Sequence, residues 1–308
     1  MTNRFKCLVL SVLLLAVASP AFSETSGKWG LIENKPGAFT GYTLFKPAKQ
    51  SIAFLIDMQG RVVHQWDNGF LPGDSLHLLP DGRLLTTAHV DDNPVFGNPP
   101  FGGGRIQILA WDGAVEWDYK ISSETRYQHH DITPMPNGNV LALVWEYRSE
   151  EEAVAAGRIP ENISDGKLFP DTVVEIKPTG ATSGEIVWEW KLWDHLVQDH
   201  DKSKDNYGLV AGHPELLDIN CVPGGAADWN HGNGIAYSEQ LDQIIIDLRS
   251  MNEFYVIDHA TTTAEAAGHS GGRQGKGGDF LYRWGNPAMY GRGDETDRTL
   301  FLQHHPHW

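Results

Sequence analysis

The sequence predicts an all-β protein of the β-propeller class. Three observations carry the prediction. Turn signals recur between short β-rich runs, two kinds of hairpin alternate along the chain, and few stretches have helical periodicity. A chain of 308 residues is long enough to build such a fold as one domain.

The first 23 residues read as a secretory leader. Arg4 and Lys6 supply the positive end, Leu8 to Val17 a short apolar run, and Ala21-Phe22-Ser23 the small residues of a cut site. The run is too short to span a membrane, so the expected product is a periplasmic or secreted protein of residues 24–308. Cleavage leaves 22 basic residues against 40 acidic, a net charge of −18, which disfavours nucleic acid and anionic membranes as partners. Cys221 is then the one cysteine left, so no disulfide can form within the chain.

The first kind of hairpin has an apolar strand, a turn with Gly, and a strand ending at or near Trp. It appears at 51–66 (SIAFLIDMQGRVVHQW), 105–119, 172–190, and 252–284 with a Gly-rich insertion. The second kind is shorter and is built on LLPDGRLL (78–85), MPNGNVLAL (135–143) and IAYSEQLDQIII (235–246). Alternation of the two implies four-stranded blades, each taking roughly 40–50 residues. Inserts at 146–169 and 191–227 should hold short helices and loops on one rim, where blade inserts build a binding mouth. GGRQGKGGD (271–279) reads as a flexible insertion, and SEEEAVAAGR as a solvated helix. About three complete blades and the start of another, at LFLQHHPHW, are visible, so the chain is expected to be truncated at its C-terminus.

Aligning the second hairpins by their turns sets His129 beside His231 and Asp131 beside Asn233. His304 takes the same place in the last segment, whereas the first blade has Gly73 and Ser75 there. A residue needed for blade packing would recur in every blade; this one does not. First strands of blades line a propeller's channel, so these positions should converge. Successive strand residues face opposite ways; the alignment favours His129 for the channel, and His130 takes its place if the register slips by one. Arg249 follows the apolar strand Ile244–Leu248 and could aim a fork of donors at an anion in the channel mouth.

Imidazole serves as nucleophile, general base or metal ligand. A guanidinium beside several imidazoles disfavours a cation and favours sulfate, phosphate or carboxylate. Sulfuryl or phosphoryl transfer fits: one His attacks, another protonates the leaving oxygen, and Arg249 stabilises the equatorial oxygens. A metal-dependent propeller hydrolase or lactonase, with zinc or calcium bound in the channel, and a non-catalytic anion-binding propeller are the alternatives; His305 and His307 of the HHPH run could bind zinc but lack an acidic ligand in the adjoining chain.

The ordered segments GYTLFKP, HHDITPMPNGNVL, WEWKLWDHLVQD, NYG, HPELLDIN, DWNHGNGIAY, IIIDLRS, GGDFLYRWGNP and QHHPHW resemble the bacterial arylsulfotransferase family. The resemblance implies a six-bladed propeller with its site in the central channel, a sulfohistidine intermediate and a ping-pong cycle without a nucleotide sulfate donor. It implies His304 as nucleophile, with His231, Arg249 and His129 or His130 as further catalytic residues and Asn233 at the substrate, where the blade alignment also puts Asp131. No cofactor or metal is expected. The partners implied are small aryl sulfates and phenols, and at most further copies of the chain. The isolated His64, His89 and His195 read as structural.

Overall fold

Hairpins of both kinds form where the turn signals place them. The computed structural model describes residues 30–97, 99, 102–224 and 226–308. The expected leader, 1–23, lies outside them. Residues 30–40 carry no strand or helix, and a compact unit runs from Gly41 to Trp308.

Strands β1 (Thr43–Phe45), β2 (Ile52–Ile56) and β3 (Val62–Asp67) form a three-stranded antiparallel sheet. The next sheet has β4 (Pro72–Leu78), β5 (Leu84–His89), β6 (Gly104–Leu109) and β7 (Val115–Lys120), paired in chain order. A second four-stranded sheet starts with β8 (Arg126–Pro134) and β9 (Val140–Glu146). An insert follows, with the two-residue pair β10 (Arg148–Ser149) and β11 (Lys167–Leu168) and helix α1 (Glu150–Ala155); then β12 (Asp171–Gly180) and β13 (Ser183–Lys191) complete the sheet. The second insert carries β14 (Leu196–Val197) and β15 (Leu217–Asp218). The last sheet is β16 (Gly232–Ser238), β17 (Gln243–Leu248), β18 (Glu253–Asp258) and β19 (Tyr282–Trp284), with helix α2 (Thr263–Ala266) between the final two. Each four-stranded sheet is a second-kind hairpin followed by a first-kind hairpin, which is the blade arrangement of a β-propeller. The first strands are neighbours: β8 lies against both β4 and β16.

The core lies between blades. β9, VLALVWE, is buried at every position because both of its faces are covered. Val140, Ala142 and Val144 pack with Ile106, Ile108 and Trp117 of the preceding blade. Leu141 and Leu143 pack with Ile235, Ile244 and Ile246 of the following one. The Trp residues that close the outer strands tie consecutive sheets together. Trp66 donates its indole N–H to Ala110 O (3.1 Å), Trp117 to Ser183 O (3.0 Å) and Trp188 to Thr261 Oγ1 (3.0 Å).

Helix α1 is the solvated helix expected. Ser149 and Glu152 cap each other's backbone N–H groups, and Ala153 alone is buried. The 271–279 segment is not a loose insertion. Gly277 N donates to Gly271 O (3.0 Å), Gly278 N to Gly268 O (3.0 Å), and Trp190 donates to Gly278 O (2.7 Å). A Cβ on Gly278 would lie 2.0 Å from Ala266 O, so glycine serves close approach there rather than mobility.

Candidate active site

Each inner strand breaks register once, near its start. The breaks fall between Pro72 and Leu76 in β4, Gln128 and Ile132 in β8, and Gly232 and Gly234 in β16. Each bulge has a non-glycine residue at positive φ: Asp74 at 81°, His130 at 46°, and His231 at 53° just before β16. Such residues cost of order 1–3 kcal/mol and cluster at functional sites. Backbone conformation therefore equates His130, not His129, with His231. One extra residue before Gly234 accounts for the slip. Alternation does not hold at a bulge, and His129 and His130 are both buried, with perpendicular rings.

His129 sits a layer behind its neighbour. It is fully buried, stacks on Trp145 (4.4 Å, 15°), and places Nε2 2.8 Å from Asp171 Oδ1. The carboxylate puts the His129 proton on Nε2. His129 Nδ1 then accepts from His130 Nδ1, 2.9 Å away, and His130 keeps its lone pair on Nε2. Burial, followed by the charges of His129, His231, His304 and Arg249, pushes His130 down to about 2, so its imidazole is neutral at all working pH. The His231 ring lies 4.8 Å from it, with Nδ1 bonded to Asp228 Oδ2 at 2.5 Å. Asp171 also accepts from Gly232 N (2.7 Å) and from the Asn230 amide. A Cβ at Gly232 would sit 2.6 Å from Asp171 Oδ2, so only glycine lets that carboxylate reach the loop.

The Asn233 amide bridges Asp247 and His304. One of its terminal atoms lies 2.9 and 2.7 Å from the Asp247 oxygens, the other 3.0 Å from His304 Nε2. Burial, then the carboxylates of Asp131 and Asp171, push Asp247 up to about 8. The protonated carboxyl donates to Asn233 Oδ1, and Nδ2 then donates to His304. Ionised Asp247 instead accepts from Nδ2, which turns Oδ1 toward His304. The amide orientation thus follows the carboxyl proton.

Asp131 is filled by donors. Oδ1 accepts from Ser75 Oγ (2.7 Å) and Ile132 N (2.9 Å), and Oδ2 from Ile235 N (3.0 Å) and His305 Nδ1 (3.1 Å). It clamps β4, β8, β16 and the C-terminal tail together. Burial would raise its carboxyl, but the bonds from His305, Ser75 and Ile235 override that and hold it low. The tail is held by Gln303, which donates to Glu253 O (2.9 Å), and by Leu302 N on Asn252 Oδ1 (2.8 Å).

Asp74, His130, Asp131, Asn233, His304 and His305 line a cavity of about 320 Å³. His231 adjoins it through His130. Arg249 opens the turn after β17, and its backbone N–H bonds His231 O (3.0 Å). Its half-buried guanidinium has no acidic partner among the described residues. A larger cavity of about 910 Å³ lies at the turn ends of β4 and β8, lined by Leu78–Asp81 and Pro134–Asn139. It gathers no set of imidazoles, so the smaller one is where polar chemistry concentrates. The isolated histidines are tied to carbonyls: His64 to Trp111 O (2.7 Å), His89 to Gly102 O (2.8 Å) and His195 to Ala266 O (2.9 Å).

Sequence reasoning missed four carboxyls: Asp74, Asp171, Asp228 and Asp247. Asp228 and Asn230 stand within DWNHGNG itself, three residues and one residue before His231, and that spacing was the available signal. Nothing in sequence links Asp171 to His129.

The family model described as Arylsulfotransferase (ASST) matches residues 21–265. The span contains His129, His130, His231, Asn233 and Arg249 and stops before His304. Among solved structures, the chain is similar to Kuenenia stuttgartiensis hydrazine synthase, with 13% identity and a TM-score of 0.44 over 80% of this chain and 59% of that one. A streptogramin B lyase structure aligns at 12% identity and TM-score 0.36, covering 71% of this chain and 48% of that one. BamB from Moraxella catarrhalis aligns at 12% and 0.31, covering 83% and 60%. The chain thus spans about half to three-fifths of these proteins' own lengths. No curated protein matches the sequence.

Proposed function

The chain belongs to the arylsulfotransferase family, and we propose that it moves a sulfuryl group from an aryl sulfate to a phenol through a sulfohistidine. The observation that carries the reading is the Arg249 guanidinium, without an acidic partner among the described residues, whose charge reaches His130 as those of His231 and His304 do. A guanidinium without a carboxylate partner draws a compact anion.

In the first half-reaction a lone pair of His304 attacks sulfur. The bond from sulfur to the phenolic oxygen breaks with its electron pair on oxygen, and the His231 imidazolium, oriented by Asp228, gives that oxygen a proton. Arg249 faces the charge on the remaining oxygens. In the second half, the acceptor phenol loses its proton to His231 while its oxygen attacks sulfur, and the nitrogen–sulfur bond breaks. Neither half needs a nucleotide sulfate. Export to the periplasm or beyond is part of the proposal and rests on residues 1–23 alone. Among the described residues no helix is long and apolar enough to cross a membrane.

Intact and peptide mass spectrometry after incubation with 4-nitrophenyl sulfate tests the scheme. A sulfuryl-sized increase on the His304 peptide, discharged by added phenol, is expected, as is a loss of about 10²–10³-fold in nitrophenol release for Arg249→Ala. Undiminished release in both Arg249→Ala and His231→Ala would end the proposal. Retained sulfate binding with no covalent adduct would favour a non-catalytic anion-binding propeller.

A further inference from the structure

A second set of metal-ligand side chains lies outside the central cavity, where the insertion between β18 and β19 folds over the end of β13. His195 follows the 3-10 turn Leu192–Asp194 after β13, and His269 and Asp279 belong to the insertion. His195 is fully buried and stacks on Trp190 (5.5 Å, 5°). Its Nε2 lies 2.9 Å from Ala266 O. A carbonyl only accepts, so the ring proton is on Nε2. That turns the Nδ1 position toward Asp279 Oδ1, 2.8 Å away, and His269 Nδ1 lies 2.7 Å from the same oxygen.

His269 can donate to the buried carboxylate oxygen as a neutral ring, but His195, with its proton on Nε2, needs a positive charge at its Nδ1 position. A neutral His195 would aim a lone pair at an anion. A doubly protonated His195 would place a wholly buried imidazolium on a carboxylate oxygen it shares with His269. A single divalent cation satisfies all three groups. The ligand atoms lie within 4.8 Å of one another, the one such group among the described residues. The ring nitrogens and carboxylate match zinc-type ions rather than calcium or magnesium. The bond to Ala266 O is the outer-shell contact that orients a ligating imidazole. His269 is exposed, beside a cavity of about 340 Å³ that also reaches Asp194 and His213, so water can fill the open coordination position.

We propose that His195, His269 and Asp279 bind one zinc-type divalent ion that pins the 259–281 insertion to the end of β13, joining two consecutive blades. The site shares no residue with the histidine cavity, so its role is structural.

The test uses the whole chain, stripped with a chelator and titrated with Co(II). One equivalent should bind with visible absorption of low coordination number, be displaced by Zn(II), and raise Tm by about 5 °C at saturation. His269→Ala, at an exposed position, should keep the circular dichroism spectrum and lose both the absorption and the Tm shift. Asp279→Asn should weaken binding at least tenfold. Wild-type protein that binds no Co(II) would overturn the proposal and leave a proton-filled cluster. Undiminished binding in His269→Ala would overturn it too, by placing the ion elsewhere.

Discussion

His130, His231 and Asp247 show how single residues acquire chemistry from what surrounds them. His130 is neutral because burial, with the Arg249 guanidinium acting in the same direction, disfavours its charged form, and Asp247 is held protonated because it is buried near other carboxylates. The second has a measurable sign. The folded carboxyl titrates near 8, far above the ordinary carboxylate range, so its contribution to stability is complete below about pH 4 and declines as pH rises toward 8. Asp247→Asn removes that decline. Its Tm relative to wild type should climb between pH 5 and 8 and level off above. A gap between the two that is constant across this range would show that Asp247 is ordinary.

At the scale of elements, the outer hairpins hold neighbours and the inner strands present function. Trp117 is buried at the end of its sheet and bonds Ser183 O of the next. Trp117→Phe should cost about 1 kcal/mol for the lost bond, and Trp117→Ala about 3–5 kcal/mol with the cavity added, as read by denaturant midpoints. A Trp117→Phe variant as stable as wild type would mean the indole N–H contributes nothing. In β16, a Cβ on Gly234 would lie 2.4 Å from Pro306 and 2.7 Å from His305 Cα. Gly234→Ala should therefore displace the tail and abolish sulfuryl labelling at His304, while Tm falls by only a few degrees. Labelling at the wild-type level would mean the tail's seat on β16 is irrelevant to the reaction.

Across the whole molecule, blades are coupled by charge as well as by apolar packing. His259, after β18, bonds Asp242 (2.8 Å) in its own blade and Glu175 (3.0 Å) in the preceding one. Burial alone would lower this ring, but the two carboxylates override it and raise it above its ordinary value. Its stabilising effect is complete below about pH 6.5 and is lost as pH rises through the folded value. His259→Gln should destabilise most at pH 6 and least at pH 9. The opposite trend in Tm would remove the brace from the account. The same inter-blade logic places the proposed metal at the next contact outward, between the end of β13 and the β18–β19 insertion.

The strand order, the hairpin pairings and the crowding of imidazoles near the inner strands were legible in the sequence, because period-two apolar patterning and Gly-centred turns are local signals. The place of Arg249 at the end of β17 was legible for the same reason, as a cation ending an apolar run. Which histidine of the His129–His130 pair lines the cavity was not, because the answer depends on bulges with left-handed residues that break the alternation every strand argument assumes. Nor was the role of Asp171, a carboxylate 42 residues from His129 in the chain and 2.8 Å from it in space. Local patterning determined the hairpins. The packing of separate blades around shared inner strands decided which side chains meet, since only that packing brings buried charges from distant segments within reach of one another.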